Sequence, residues 1–333
     1  MSICVDGFGK GIFMISDWVQ RLPLERFLNK PRTTEETKDG LYRIYNPWES
    51  GGPENLWFVR FLRHHFAGNK TVINFFGPFG PPWFIKKHFE GKKVFYTGED
   101  VEHPGTNRNL NYGNYVLKYV DFAMGFGEEK DKKYLRFPYW ILRLFSPEAD
   151  AQEIREKIRE INHTRYAKSQ ECTLISNHDR HRTRELVYNG VKDILDVKLA
   201  GRWRNNTDEL WTKYGDNKEL YMRNFKFNIC TEHNNTLNYV TEKIFDAFVS
   251  DCIPIYYGSC NNPEPGLINR DAVILWNQDG SNEENRKKIL ELKNNETYYR
   301  EFMSQPKLLP AAEEYVIDRY SKLKEHFARV LNE

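Results

Sequence analysis

The chain is predicted to fold as two α/β units, each a doubly wound, Rossmann-like sheet with helices on its faces. Three observations lead there. The 333 residues exceed the ~100–200 residues of a usual domain, so two domains are expected. Short runs rich in Val, Ile, Phe and Tyr recur along the chain, and near-continuous apolar strands belong to parallel sheets buried on both faces. Helical segments separate many of these runs, and alternation of strand and helix marks the α/β class.

The strand-like runs fall at residues 3–6, 72–76, 93–97, 122–126, 173–176, 196–199, 225–230, 253–257 and 272–276. Residues 147–170 are charged, but Ile154, Ile158 and Ile161 recur at i, i+4 and i+7. That spacing predicts a helix over 151–161 connecting the two units. Residues 1–150 then form a first domain and 165–310 a second. Tyr315, Tyr320, Leu323, Phe327 and Leu331 recur at helical spacing. They predict a terminal helix within 311–333 that packs back on the first domain.

Composition removes several classes of function. Hydrophobic residues make up 40% and charged residues 29%, which is ordinary globular usage rather than disorder. A net charge of +2 gives no footprint for nucleic acid. The five cysteines are scattered without a CxxC pair, which supports neither zinc nor a disulfide framework and favours buried free thiols. The first residues lack a basic region and a long apolar stretch, so they read as a strand rather than a signal peptide. No apolar run reaches the ~20 residues of a membrane span. A cytoplasmic protein, with peripheral contact at the inner face of the membrane, is the expected setting.

Chemistry concentrates at strand ends. Residues 225–248 read FKFNICTEHNNTLNYVTEKIFDAF. A strand here is followed by a polar loop and a helix for which Thr241 is the predicted N-cap. Lys243 falls in the first turn, where free N–H groups and the helix dipole already favour an anion. Together they make a diphosphate site; a local contact to Asp246, or simple exposure, accounts for the lysine equally well. Glu242 suits a helix start and could bind sugar hydroxyls. Tyr239 could cover a ribose or base, or sit in the core.

A second cationic cluster reads NHDRHRTREL over 177–186. Arg180 and Arg184 are spaced to share a helix face, and arginine suits bidentate phosphate contact. Pairing with Asp179 or Glu185 is the plain alternative. His178 and His181 alone are a weak metal signal. No D-x-D occurs in the chain, which favours neutralisation of a diphosphate by Lys and Arg over a divalent metal. On the first domain, KVFYTGED over 93–100 would deliver Glu99 to the cleft at a strand end. A carboxylate there can act as general base, although a surface turn is the commoner fate of Gly-Glu-Asp.

These segments resemble the bacterial α1,3/4-fucosyltransferases of glycosyltransferase family 10. The resemblance rests on VFYTGED at 94–100, FNICTEHNN at 227–235, YVTEKIFDAF at 239–248 and IPIYYGS at 253–259, and more weakly on RELVYNGV at 184–191. It implies a GT-B fold, with an N-terminal acceptor domain and a C-terminal GDP-fucose domain. It implies Glu99 as general base and Arg184 and Lys243 as diphosphate contacts, with Arg182 as the alternative arginine. Tyr239 and Glu242 become nucleoside or fucose contacts. Glu232 falls in a loop where the family carries Phe-Glu-Asn and this chain carries Thr-Glu-His. The partners implied are GDP-fucose and a lactosamine-type oligosaccharide, as in Lewis antigens on lipopolysaccharide. No cofactor is required, though Mn or Mg could stimulate.

Other readings stand beside this one. Gly7-Phe-Gly-Lys-Gly11 is a poor match to a dinucleotide fingerprint. A transferase for another GDP-linked hexose and a silent nucleotide- or carbohydrate-binding module also fit. Trp48, Trp57 and the aromatic run FFGPFGPPWF at 75–84 are expected to shape the acceptor site.

Overall fold

The computed structural model describes residues 34–47, 51–80, 82–101, 112–278 and 280–332. The predicted strand at 3–6, the glycine run at 7–11, Cys4 and Trp48 lie outside them.

The first sheet holds β1 (Thr34–Glu36), β2 (Tyr42–Tyr45), β3 (Ile73–Phe76), β4 (Lys92–Tyr96), β5 (Phe122–Gly125) and β6 (Tyr134–Arg136), side by side in chain order. β1 is antiparallel to β2, and the remaining pairs are parallel. The helix α1 (Trp57–His65) crosses from β2 to β3, and α2 (Tyr139–Leu144) follows β6. Ile44, Val94 and Tyr96 pack with Phe58, Phe61 and Leu62 of α1. Phe76 and Phe95 pack on the other side with Phe84, Tyr112 and Tyr115. Covered on both faces, β3 is buried throughout rather than alternating, with Asn74 as its one polar residue.

The capping box of Asp150 and Glu153 starts α3 (Ala151–His163), which leads into the second unit. That unit comprises β7 (Gln170–Leu174), α4 (Thr183–Val191), β8 (Val197–Leu199), α5 (Glu209–Thr212), α6 (Lys218–Met222), β9 (Phe225–Thr231), α7 (Lys243–Val249), β10 (Ile253–Tyr257) and β11 (Ile274–Leu275). Then come α8 (Glu283–Asn294), α9 (Glu296–Ser304) and α10 (Ala311–Asn332).

The second sheet is parallel, in the order β11-β10-β9-β7-β8. The chain steps from β7 out to β8 and then returns past β7 to β9. This reversal opens a crevice at the carboxyl ends of β7 and β9, where ligands of such sheets gather.

The terminal helix α10 returns to the first sheet. Phe327 meets Phe122 at 5.3 Å, and the Tyr320 hydroxyl donates to the Ser146 carbonyl at 2.6 Å. At the closed end of the cleft Trp140 stacks on Phe245 at 4.4 Å. Trp140 Nε1 and Arg136 Nη2 both donate to buried Glu264, at 2.8 and 2.7 Å. Arg143 pairs with Asp246 at 3.2 Å. These contacts tie the two sheets into one body. Among the described residues no helix is long and apolar enough to cross a membrane. Cys172, Cys230 and Cys252 are buried free thiols, whereas Cys260 is exposed.

Candidate active site

β4 carries Glu99 to the cleft. Just past the strand, the Glu99 N–H donates to the Thr97 hydroxyl at 2.9 Å, turning the chain. The Glu99 side chain is 21% exposed. Its Oε2 accepts from the Tyr239 hydroxyl at 3.4 Å and lies 3.9 Å from His233 Nδ1. Both partners belong to the second unit. Among the described residues none is hydrogen-bonded to Oε1. The neighbouring Asp100 is buried and accepts from Thr236 Oγ1 at 2.5 Å and Asn234 Nδ2 at 3.4 Å. The loop after β9 is thereby stitched to the end of β4.

Across the cleft, a cavity of about 490 Å³ opens at the crevice between β7 and β9, with Arg184, Lys218, Thr231, Glu242, Lys243 and Asp246 in its lining. Arg184 projects from α4, is 4% exposed, and lies 3.6 Å from Asp179. Its Nη1 has no hydrogen-bond partner. Burial pushes its pKa down, against the pull of Asp179 and Glu232. A buried donor left unmatched costs roughly 1–3 kcal/mol, more for a charged group.

The same residues correct part of the sequence-based picture. Helix α4 begins at Thr183, so Arg180 precedes it and does not share a helix face with Arg184. Asp179 accepts the N–H groups of Arg184 and Glu185 at 3.2 and 2.7 Å. Arg182, the alternative arginine, is 82% exposed and pairs with Glu185, whereas Arg184 lines the cavity. His178 stacks on His233, and among the described residues no group of His, Cys, Asp and Glu could hold a metal ion.

At α7 the N-cap is Glu242, not Thr241. The Thr241 hydroxyl has stronger company: it donates to Glu232 at 2.7 Å and accepts from Lys243 Nζ at 2.6 Å. Glu232 is fully buried. It also accepts the Thr241 N–H at 2.8 Å and Lys243 Nζ at 3.1 Å. Both of its oxygens are therefore engaged within the protein, so it underpins Lys243 instead of reaching a ligand. Glu242 lies 3.7 Å from Lys243. Burial alone would lower the Lys243 pKa, but Glu232 and Glu242 outweigh it and hold the ammonium above its ordinary range. Asp246, the expected local partner of Lys243, pairs with Arg143 across the cleft, and burial raises its carboxyl to about 7.

Gly258 explains part of the IPIYYGS segment. Its φ is +146°, and a Cβ there would sit 2.7 Å from Glu232 Cγ. Glycine at this point lets β10 close over the Glu232–Lys243 pair.

Tyr239 does not stand ready to cover a nucleoside. It is buried, its ring lies 4.9 Å from Phe126, and its hydroxyl faces Glu99. The aromatic residues expected at the acceptor site are mostly core. Trp57, Phe75, Phe76 and Phe84 are buried, while Phe79 is exposed. Sequence reasoning missed Asp100, Lys218 and His233. Asp100 adjoined a flagged residue, but Lys218 and His233 carried no signal of their own.

The two sheets facing across a cleft, with a crevice at a strand reversal, define a two-domain GT-B architecture. Solved structures share it. An alpha1,3-fucosyltransferase with GDP-fucose aligns at TM-score 0.53 and 22% identity, covering 78% of each chain. Another structure of an alpha1,3-fucosyltransferase aligns at TM-score 0.57 and 23% identity, covering 78% of each chain. Residues 165–325 match "Glycosyltransferase family 10 (fucosyltransferase) C-term", and residues 43–143 match "Alpha-(1,3)-fucosyltransferase FucT N-terminal domain". The alpha-(1,3)-fucosyltransferase FucT of Helicobacter pylori is 28% identical over 224 residues, which is 59% of this chain and 43% of that protein. The chain thus spans less than half the length of that curated relative. It belongs to glycosyltransferase family 10.

Proposed function

We propose that this chain is an inverting fucosyltransferase. It moves L-fucose from GDP-β-L-fucose to a GlcNAc hydroxyl of a lactosamine-type oligosaccharide, in α1,3 or α1,4 linkage. Glu99 takes the proton from the attacking hydroxyl. The hydroxyl oxygen bonds to the anomeric carbon from the face opposite the diphosphate. The bond from that carbon to the diphosphate oxygen breaks, and GDP leaves with the electron pair. Arg184 and Lys243 stabilise the negative charge that grows on GDP.

The observation that carries this reading is the pair of cations, buried Arg184 and half-buried Lys243, that line one cavity at the carboxyl ends of β7 and β9. Its position across the cleft from a carboxylate with one unbonded oxygen fits displacement at a sugar diphosphate. The family and the FucT relative support fucose as the group transferred.

The test mixes the protein with GDP-fucose and a panel of galactose/N-acetylglucosamine acceptors in EDTA. A product heavier by one deoxyhexose, with one GDP released per transfer, is expected. Transfer only from another GDP-linked hexose would change the donor. Tight GDP binding without transfer to any acceptor would make the chain a binding module, and no GDP binding would sink the reading.

A further inference from the structure

Three histidines of the second unit gather beside Glu99. His233 lies in the loop after β9; His178 and His181 lie in the turn before α4. The rings of His178 and His233 are within 19° of parallel, with centroids 5.5 Å apart. His181 stands 6.3 Å from His233. His233 Nδ1 points to Glu99 Oε2 at 3.9 Å, the oxygen that Tyr239 also contacts at 3.4 Å. So Oε2 accepts from the Tyr239 hydroxyl and has the His233 ring at 3.9 Å, beyond hydrogen-bond reach, while Oε1 has no partner among the described residues.

We propose that His233 is a positioning residue for Glu99. Its ring bounds Oε2 from the opposite unit and leaves Oε1 turned toward the acceptor hydroxyl. Once protonated, it captures the carboxylate in an ion pair and weakens it as a base. This role rests on the reading of Glu99 as the general base.

The surroundings oppose each other. His178 and His181 crowd His233 from the turn that also carries Asp179, Arg180 and Arg184, while the Glu99 carboxylate faces it from the other unit; Tyr239 stays neutral because burial drives its pKa far up. His178 itself is held below its ordinary range, first by burial and then by His233. Both anchors of Oε2 come from the opposite unit, so the base is aligned only where the two sheets meet as they do here.

The test compares kcat and the KM for GDP-fucose across pH 4.5–8.5 for the wild type, His233→Asn and His233→Ala. An asparagine amide can donate from near the Nδ1 position but does not titrate there. His233→Ala should lose several-fold in kcat at pH 8, because the ring that bounds Glu99 Oε2 is gone, with donor KM within about twofold. His233→Asn should recover most of that loss. Its acid limb should move to lower pH, because no imidazolium is then available to pair with Glu99. An acid limb unmoved in His233→Asn, or a loss confined to donor KM, overturns the role of His233 alone. A wild type without turnover overturns the role together with the Glu99 reading beneath it.

Discussion

Glu99 and Glu232 both follow the carboxyl end of a central strand, one on each side of the cleft, yet they are built for different work. Glu232 is fully buried, and Thr241 and Lys243 engage both of its oxygens. Glu99 is 21% exposed, is contacted at one oxygen only, and takes those contacts from the opposite sheet. A carboxylate whose lone pairs are met inside its own unit is a strut. One held from a distance, with an oxygen open to the cleft, is available as a reagent. The cations divide in the same way: Lys243 is compensated by Glu232, whereas Arg184 keeps an N–H that the described protein does not satisfy.

This contrast can be broken most forcefully at Glu232. Glu232→Ala leaves the Lys243 ammonium without its main partner. Stripping one member of a buried pair costs ~3–5 kcal/mol, so urea unfolding should show a loss of that order. A loss below about 1 kcal/mol would place the pair with ordinary surface bridges. Arg184→Ala should behave in the opposite manner. Its partner Asp179 keeps two backbone N–H donors, so stability should fall less than in Glu232→Ala, while GDP affinity falls ~10–100-fold, the worth of one or two hydrogen bonds to a charged group. Calorimetric titration with GDP checks this, and unchanged affinity would remove Arg184 from the diphosphate site.

A smaller effect comes from Asp246. Burial raises its carboxyl from 3.8 to about 7, against the pull of Arg143. A folded pKa above the unfolded one means that the native state binds the extra proton between those values. Stability from this group is therefore present at low pH and lost as pH rises through that window. Asp246→Asn should gain on the wild type from pH 5 to pH 8 by on the order of 2 kcal/mol. A difference that does not change with pH would show that Arg143 fully compensates the charge.

Much of the fold was legible because its strands are buried on both faces. The strand at 253–257 coincides with β10, and the helix predicted over 151–161 is α3, two residues longer. β1 was invisible because Thr34–Glu36 is an edge strand without an apolar residue, and β6 has only three residues. The site was legible in its motifs but not in its wiring. Lys243 looked uncompensated because local sequence shows only Glu242 and Asp246. Its true partner, Glu232, lies eleven residues earlier and meets it through the β9–α7 turn. Thr241 reads as a cap until that carboxylate is in place. The choice between Arg182 and Arg184 needed burial, which spacing does not give. Most rings of the aromatic run at 75–84 fill the first core, which composition alone does not show.

The central claim is that Glu99 reacts while the opposite wall binds, and one pair of numbers from Glu99→Ala tests it most directly. These are its turnover with GDP-fucose and a lactosamine acceptor, and its affinity for GDP. The account predicts a fall in turnover of ~10²–10⁴-fold, with GDP affinity within about twofold of the wild type because Arg184 and Lys243 are untouched. Turnover near the wild-type value would contradict it.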